Sequence, residues 1–121
     1  MSVNKNKLHH FIEEYHIWQH QYHSDIKGTI IFQCAKLLTN VKFTSKSFHA
    51  VRNNLKDFEK IPDTIMHPQE CWSYWKDPKK QTDVYRNYIR DGYVVSTLNG
   101  EVTNAFATEN ISKYRVGVIV L

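Results

Sequence analysis

Apolar residues recur at helical spacing in the first half of the chain and alternate in short runs in the second. Leu8, Phe11, Ile12, Tyr15, Trp18 and Tyr22 follow a three/four spacing between Lys7 and His23. That predicts a helix with one buried face. Ser24 or Asp25 can cap a second helix, with Ile30, Ile31, Cys34, Ala35, Leu37 and Leu38 on its apolar side. Thr29 to Phe32 can also be extended. Thr39 and Asn40 read as a break, and Val41 to Phe43 as a short extended lead-in. Thr44 or Ser45 then caps a third helix running to about Phe58, with Phe48, Val51, Leu55 and Phe58 as its stripe. Pro62 ends this run or starts a short helical turn. Pro68 and Pro78 bracket the aromatic segment Cys71 to Trp75, and Lys76 to Gln81 reads as a polar loop.

The last third changes period. Val84 to Ile89, Tyr93 to Leu98 and Val102 to Ala107 are rich in strand formers, separated by Asp91-Gly92 and Asn99-Gly100. Lys113 to Leu121, which ends in Val116, Val118, Ile119, Val120 and Leu121, predicts a buried final strand. The fold class expected is α+β: N-terminal helices packed on a four- to five-stranded antiparallel sheet. The chain reads as one domain over 1–121, with a helical part over 1–40 and a core over 41–121. A two-residue Asn99-Gly100 turn places Ser96 opposite Thr103. Asp91-Gly92 allows a two-residue loop, with Asn87 opposite Ser96, or a three-residue loop, with Arg86 opposite Ser96. The second sorts the apolar side chains onto one face better and is the expected register. It lines up Arg86, Ser96 and Thr103 across three strands, with Tyr88 on the same face. Such a set can hold a phosphate; the alternative is an ordinary solvated sheet face.

Composition narrows the functional classes. With 41% hydrophobic residues, 4 Gly and 3 Pro in 121 residues, low-complexity disorder is excluded. The formal charge of +4 favours phosphate backbones, anionic lipid or an acidic protein as partners. Cys34 and Cys71 lie in no CxxC and predict neither a disulfide framework nor a zinc knuckle. No apolar run suits a transmembrane helix, and the polar start lacks a signal-peptide core. If the protein crosses a membrane, something outside this sequence carries it. Five of seven histidines fall in the first helix region. His16 and His20, with Glu13 a turn earlier, have a spacing that can grip a metal, but no second ligand cluster completes a site. No metal and no cofactor are expected. His49, near the start of the third helix, is a candidate general acid or base.

The run from the His49 helix through Pro68-Gln69-Glu70-Cys71-Trp72, Val84-Tyr85-Arg86-Asn87-Tyr88-Ile89 and Val102-Thr103-Asn104-Ala105-Phe106 resembles the barnase–EndoU–colicin–RelE superfamily. The likeness covers about Thr44 to Leu121. It implies a toxin ribonuclease that cleaves RNA, transfer RNA above all, without metal through a 2′,3′-cyclic phosphate. It further implies an acidic immunity protein as partner, no membrane association, and delivery into the cytoplasm of a target bacterium. Mapped here, the catalytic set is His49, Arg86, Tyr88 and Thr103, with Lys46, Ser96 and Arg115 as phosphate contacts. Two other readings stand beside it: a non-catalytic RNA- or protein-binding module of the same fold, and a metal-dependent protein using the histidine-rich helix.

Overall fold

The computed structural model describes residues 5–121. Its elements run α1 (Lys5–Gln21), β1 (His23–Ser24), β2 (Ile30–Cys34), β3 (Thr39–Phe43), α2 (Ser45–Val51), α3 (Ile61–Met66), β4 (Glu70–Asp77), β5 (Thr82–Arg90), β6 (Tyr93–Leu98), β7 (Glu101–Ala107) and β8 (Val118–Ile119). The class is α+β, with α1 packed against the sheet. The sheet has eight strands, not four or five, in the order β1-β2-β3-β7-β6-β5-β4-β8. It is mixed, because β3 joins β7 in parallel through Lys42 and Glu101.

The first helix stands where its spacing predicts. Phe11 and Trp18 are buried, Leu8, Tyr15 and Tyr22 pack beside them, and only Ile12 falls to the exposed side. These rings interlock with the early strands: Trp18 lies edge-on to Phe32 and Phe43, and Phe11 stacks on Phe48. The expected second helix does not form. The Asp25 carboxylate accepts from the backbone N–H of Lys27 and Thr29, and Gly28 takes φ +81°. This turn hands the β-branched run that follows to a strand, in which Ile30, Phe32 and Cys34 alternate inward. The segment read as a break, Thr39 and Asn40, opens β3.

The third helix is shorter than its apolar stripe suggests. Thr44 and Ser47 form a reciprocal cap at its start, but it stops at Val51. Leu55 and Phe58 still reach the core, carried there by a turn and a short 3₁₀ segment (Phe58–Lys60). Pro62 starts the short helix α3. The aromatic segment between Pro68 and Pro78 becomes β4. The expected final buried strand is reduced to Val118–Ile119, and both residues are exposed.

The hairpin turns set the register. Asp91, Gly92, Asn99 and Gly100 all have positive φ, the signature of two-residue type I′ turns. Arg90 therefore pairs with Tyr93 and Asn87 with Ser96, so the expected three-residue loop is overturned. A bulge adds a second shift: Ser96 pairs with Asn104 and Thr97 with Val102, leaving Thr103 as the extra residue. The row of Arg86, Ser96 and Thr103 does not exist.

Ser47 locks α2 to the sheet. Its buried hydroxyl donates to the Val102 carbonyl at 2.6 Å and also serves the cap of Thr44. Ser47→Ala should cost about 1–3 kcal/mol, because it orphans buried polar groups. The neighbouring exposed Ser45→Ala should be close to neutral. Urea unfolding of both variants checks the contrast.

Candidate functional site

The two faces of the sheet carry different chemistry. Cys71, Tyr88, Val95 and Ala105 are cross-strand neighbours, all buried on the helix side. Two residues along, Ser73, Arg86, Thr97 and Val102 form the next row on that side. Arg86 and Tyr88 thus share the helix face, while Ser96 takes the opposite one.

Beyond the end of the helices this face opens into a cavity of about 280 Å³. Thr39 and Asn40 of β3, Val84, Arg86 and Tyr88 of β5, and the Asn99-Gly100 turn line it. No acidic side chain is among them. Among the described residues, Arg86 has no carboxylate within ion-pair distance. Burial pushes the Tyr88 phenol above its ordinary pKa, and the adjacent Arg86 guanidinium pulls part of the way back. The phenol therefore stays protonated at neutral pH and can donate. The Thr39 hydroxyl lies beside that phenol but is itself buried without a well-formed hydrogen bond. Behind the cavity, burial drives the Cys71 thiol up to about 12, against the opposing charge of Arg86. It is a packed, protonated thiol rather than a nucleophile.

The opposite face holds a separate network. Ser96 Oγ donates to Asn87 Oδ1 at 2.7 Å, and Asn87 Nδ2 donates to the Tyr114 carbonyl at 2.9 Å. Thr103, exposed on its bulge, donates to the Ser96 carbonyl at 3.3 Å. Arg115 is already engaged: Nε and Nη2 each donate to Glu70 at 2.8 Å, and Trp72 Nε1 donates to the same carboxylate. The 3₁₀ segment Ile111–Tyr114 fastens here, with the Tyr114 ring against Phe106.

The predicted site is thereby divided. Arg86 and Tyr88 meet in the cavity. Ser96, Thr103 and Arg115 lie outside it, the first two because of the turn type and the bulge. His49 and Lys46 are exposed on α2, whose Ser47 and Val51 point inward. The His49 ring contacts Phe48 and makes no hydrogen bond to Arg86, Tyr88 or Thr103. Thr39, Asn40, Asn99 and Gly100 complete the cavity. Sequence reasoning missed their role because it treated them only as turns and breaks.

On α1, His9 and His10 lie beside Glu13 and Glu14, and His16 bonds Gln19. Among the described residues, no group of three or more His, Cys, Asp or Glu is placed to hold a metal ion. No helix among them is long and apolar enough to cross a membrane. Comparison with protein families, curated proteins and solved structures gives no match.

The hydrogen bonds from Arg115, and then from Trp72, hold the Glu70 carboxyl below its ordinary range. A carboxyl with a depressed folded pKa adds stability above its unfolded pKa, and that stability is lost as pH falls through the folded value. Glu70→Gln should therefore destabilise the protein at pH 7 by up to about 1 kcal/mol, the range of a solvent-screened pair. The difference should vanish once acid has protonated Glu70 in the parent. Urea melts of both proteins across that pH range check it.

Proposed function

We propose that this chain acts on RNA, holding a phosphodiester in the Arg86 cavity, and that it is a metal-independent ribonuclease of the toxin type its C-terminal motifs resemble. One observation carries the reading. Arg86 lies in a concave site free of acidic side chains, without a carboxylate to neutralise it. A guanidinium so placed is matched in charge and geometry to a phosphate. The chain's positive charge favours the same partner over long range.

In cleavage, the ribose 2′-oxygen attacks the adjacent phosphorus and loses its proton to solvent water, since no side chain lining the cavity is a base that could take it. The bond to the 5′-oxygen breaks, and that oxygen gains a proton, leaving a 2′,3′-cyclic phosphate and a 5′-hydroxyl. Arg86 stabilises the charge that develops on the phosphorane. Tyr88 lines the same cavity, and its neutral phenol would give its proton to the leaving oxygen, although burial makes it a weaker acid than a free tyrosine. Transfer RNA as substrate, an acidic immunity protein over the cavity mouth, and delivery into a target bacterium's cytoplasm belong to the same proposal and rest on the resemblance.

A second reading has its own support. No histidine or carboxylate lines the cavity to take the 2′-hydroxyl proton, and His49 stands outside it. That arrangement favours a module that binds RNA without cutting it.

Transfer RNA incubated with the protein in chelator should yield fragments ending in 2′,3′-cyclic phosphate. Arg86→Ala should slow this on the order of 100-fold or more, and Tyr88→Phe should slow it less. His49→Ala should leave RNA affinity unchanged. Binding without cleavage would establish the second reading. Neither binding nor cleavage by the parent protein would sink both.

A further inference from the structure

Four of the nine exposed large apolar side chains among the described residues are scattered, but the other five are concentrated. Trp75, Val116, Val118, Ile119 and Val120 all lie at the β4–β8 edge, with Trp75 42% and Val118 68% exposed. Water contact with this much apolar surface is costly, so a local concentration of it marks a binding surface. The register shows which of these side chains share a face. Trp75 pairs with Val84, and Ser73 pairs with both Arg86 and Val118, so Trp75 and Val118 share the helix side of the sheet, whereas Ile119, opposite Trp72, faces the other way.

Trp75, Val118 and Val120 border a second hollow, of about 360 Å³, which Ser73, Pro78 and Val84 also line. Its walls are mainly apolar. Val84 also lines the Arg86 cavity, so the two hollows adjoin across one side chain. Trp75 and Arg86 are diagonal cross-strand neighbours, a relation that sets such positions roughly 7–8 Å apart.

A cationic pocket beside an apolar, indole-walled hollow matches the two ends of a nucleotide. We infer that the Trp75 hollow is a nucleobase subsite, which stacks the base next to the phosphate held by Arg86. This inference rests on the proposed action on RNA and adds where the base goes. An indole face accepts any base, so the subsite contributes affinity and register along a single strand rather than sequence readout. Val118 and Val120 form the opposite wall. Gly117 lets β8 close against β4: a Cβ there would strike the Ser73 carbonyl. The occupant is a base rather than a second copy of this chain, because two copies each carrying +4 repel, and their contact would lie beside two unneutralised Arg86 side chains.

The test uses two octanucleotides that resist cleavage. One is 2′-O-methyladenylate; the other has the same phosphates with abasic positions. Binding is followed by fluorescence anisotropy. Trp75→Ala should weaken binding of the first by about tenfold, within the range for one stacked base, and leave the second unchanged. Val118→Ser should act in the same direction. Arg86→Ala should weaken both oligonucleotides. If Trp75→Ala and Val118→Ser reduce the two affinities equally, or not at all, the base subsite is overturned while the Arg86 reading stands. If Arg86→Ala changes neither, the phosphate assignment fails instead. A parent protein that binds neither oligonucleotide overturns both. Sedimentation that shows a dimer dissociated by Val118→Ser would assign the hollow to a second copy and also overturn the inference.

Discussion

The two-residue turns at Asp91-Gly92 and Asn99-Gly100 decide which face of the sheet each side chain of β5 takes. Each puts two successive residues into the left-handed region, which suits the right-handed twist of the flanking strands. A strand presents alternate residues to alternate faces, so a turn longer by one residue would exchange the faces of β5. With the observed turns, Arg86 and Tyr88 face the helices and the end of the core. Asn87 faces the C-terminal segment. The cavity exists because of that parity.

The second consequence is a sheet with two covered faces. On the helix side, Tyr88, Tyr93, Val95, Val102 and Ala105 join the aromatic cluster of α1 and the early strands. On the other side, Ile89 and Val94 are also almost fully buried, under a layer that includes Phe106 and Tyr114. The polar groups there are bonded to one another and to the C-terminal backbone, which keeps their burial affordable in the physical sense that few donors are orphaned. The helix layer is short, and the sheet extends past it. Arg86 lies at that boundary, close enough to apolar packing to be fixed and far enough out to meet solvent.

This explains what could be read along the chain and what could not. Helix α1, the α2 cap and the three strands of the meander follow from local periodicity and turn chemistry, and they were legible. Ile30 to Leu38 was misread because apolar residues in a short buried hairpin can mimic helical spacing; the Asp25 turn and Gly28 were the local signals against it. The register was misjudged for a different reason. Sorting by a single apolar face favours the three-residue loop, whereas the 3₁₀ segment Ile111–Tyr114 covers part of the other face as well. The Thr103 bulge has no marker in composition. Arg86 and Tyr88 were legible as neighbours because β-strand alternation alone puts them together. Their companions Thr39 and Asn40 come from a parallel pairing of β3 with β7, a contact that no local pattern encodes.

That parallel pairing also bears on how the cavity comes into being. Lys42 N–H donates to the Gly100 carbonyl at 2.7 Å, and this contact, with the Lys42–Glu101 bridge, joins the N-terminal hairpin to the meander. Hairpins close locally and early, whereas pairings between distant segments wait on the entropy of closing a long loop. The meander can thus acquire its register, with Arg86 and Tyr88 already side by side, before any cavity surrounds them. The enclosing wall arrives only with docking of β3. A chain in which β3 is not docked therefore holds its arginine on an open strand, and the enclosed pocket depends on that long-range contact.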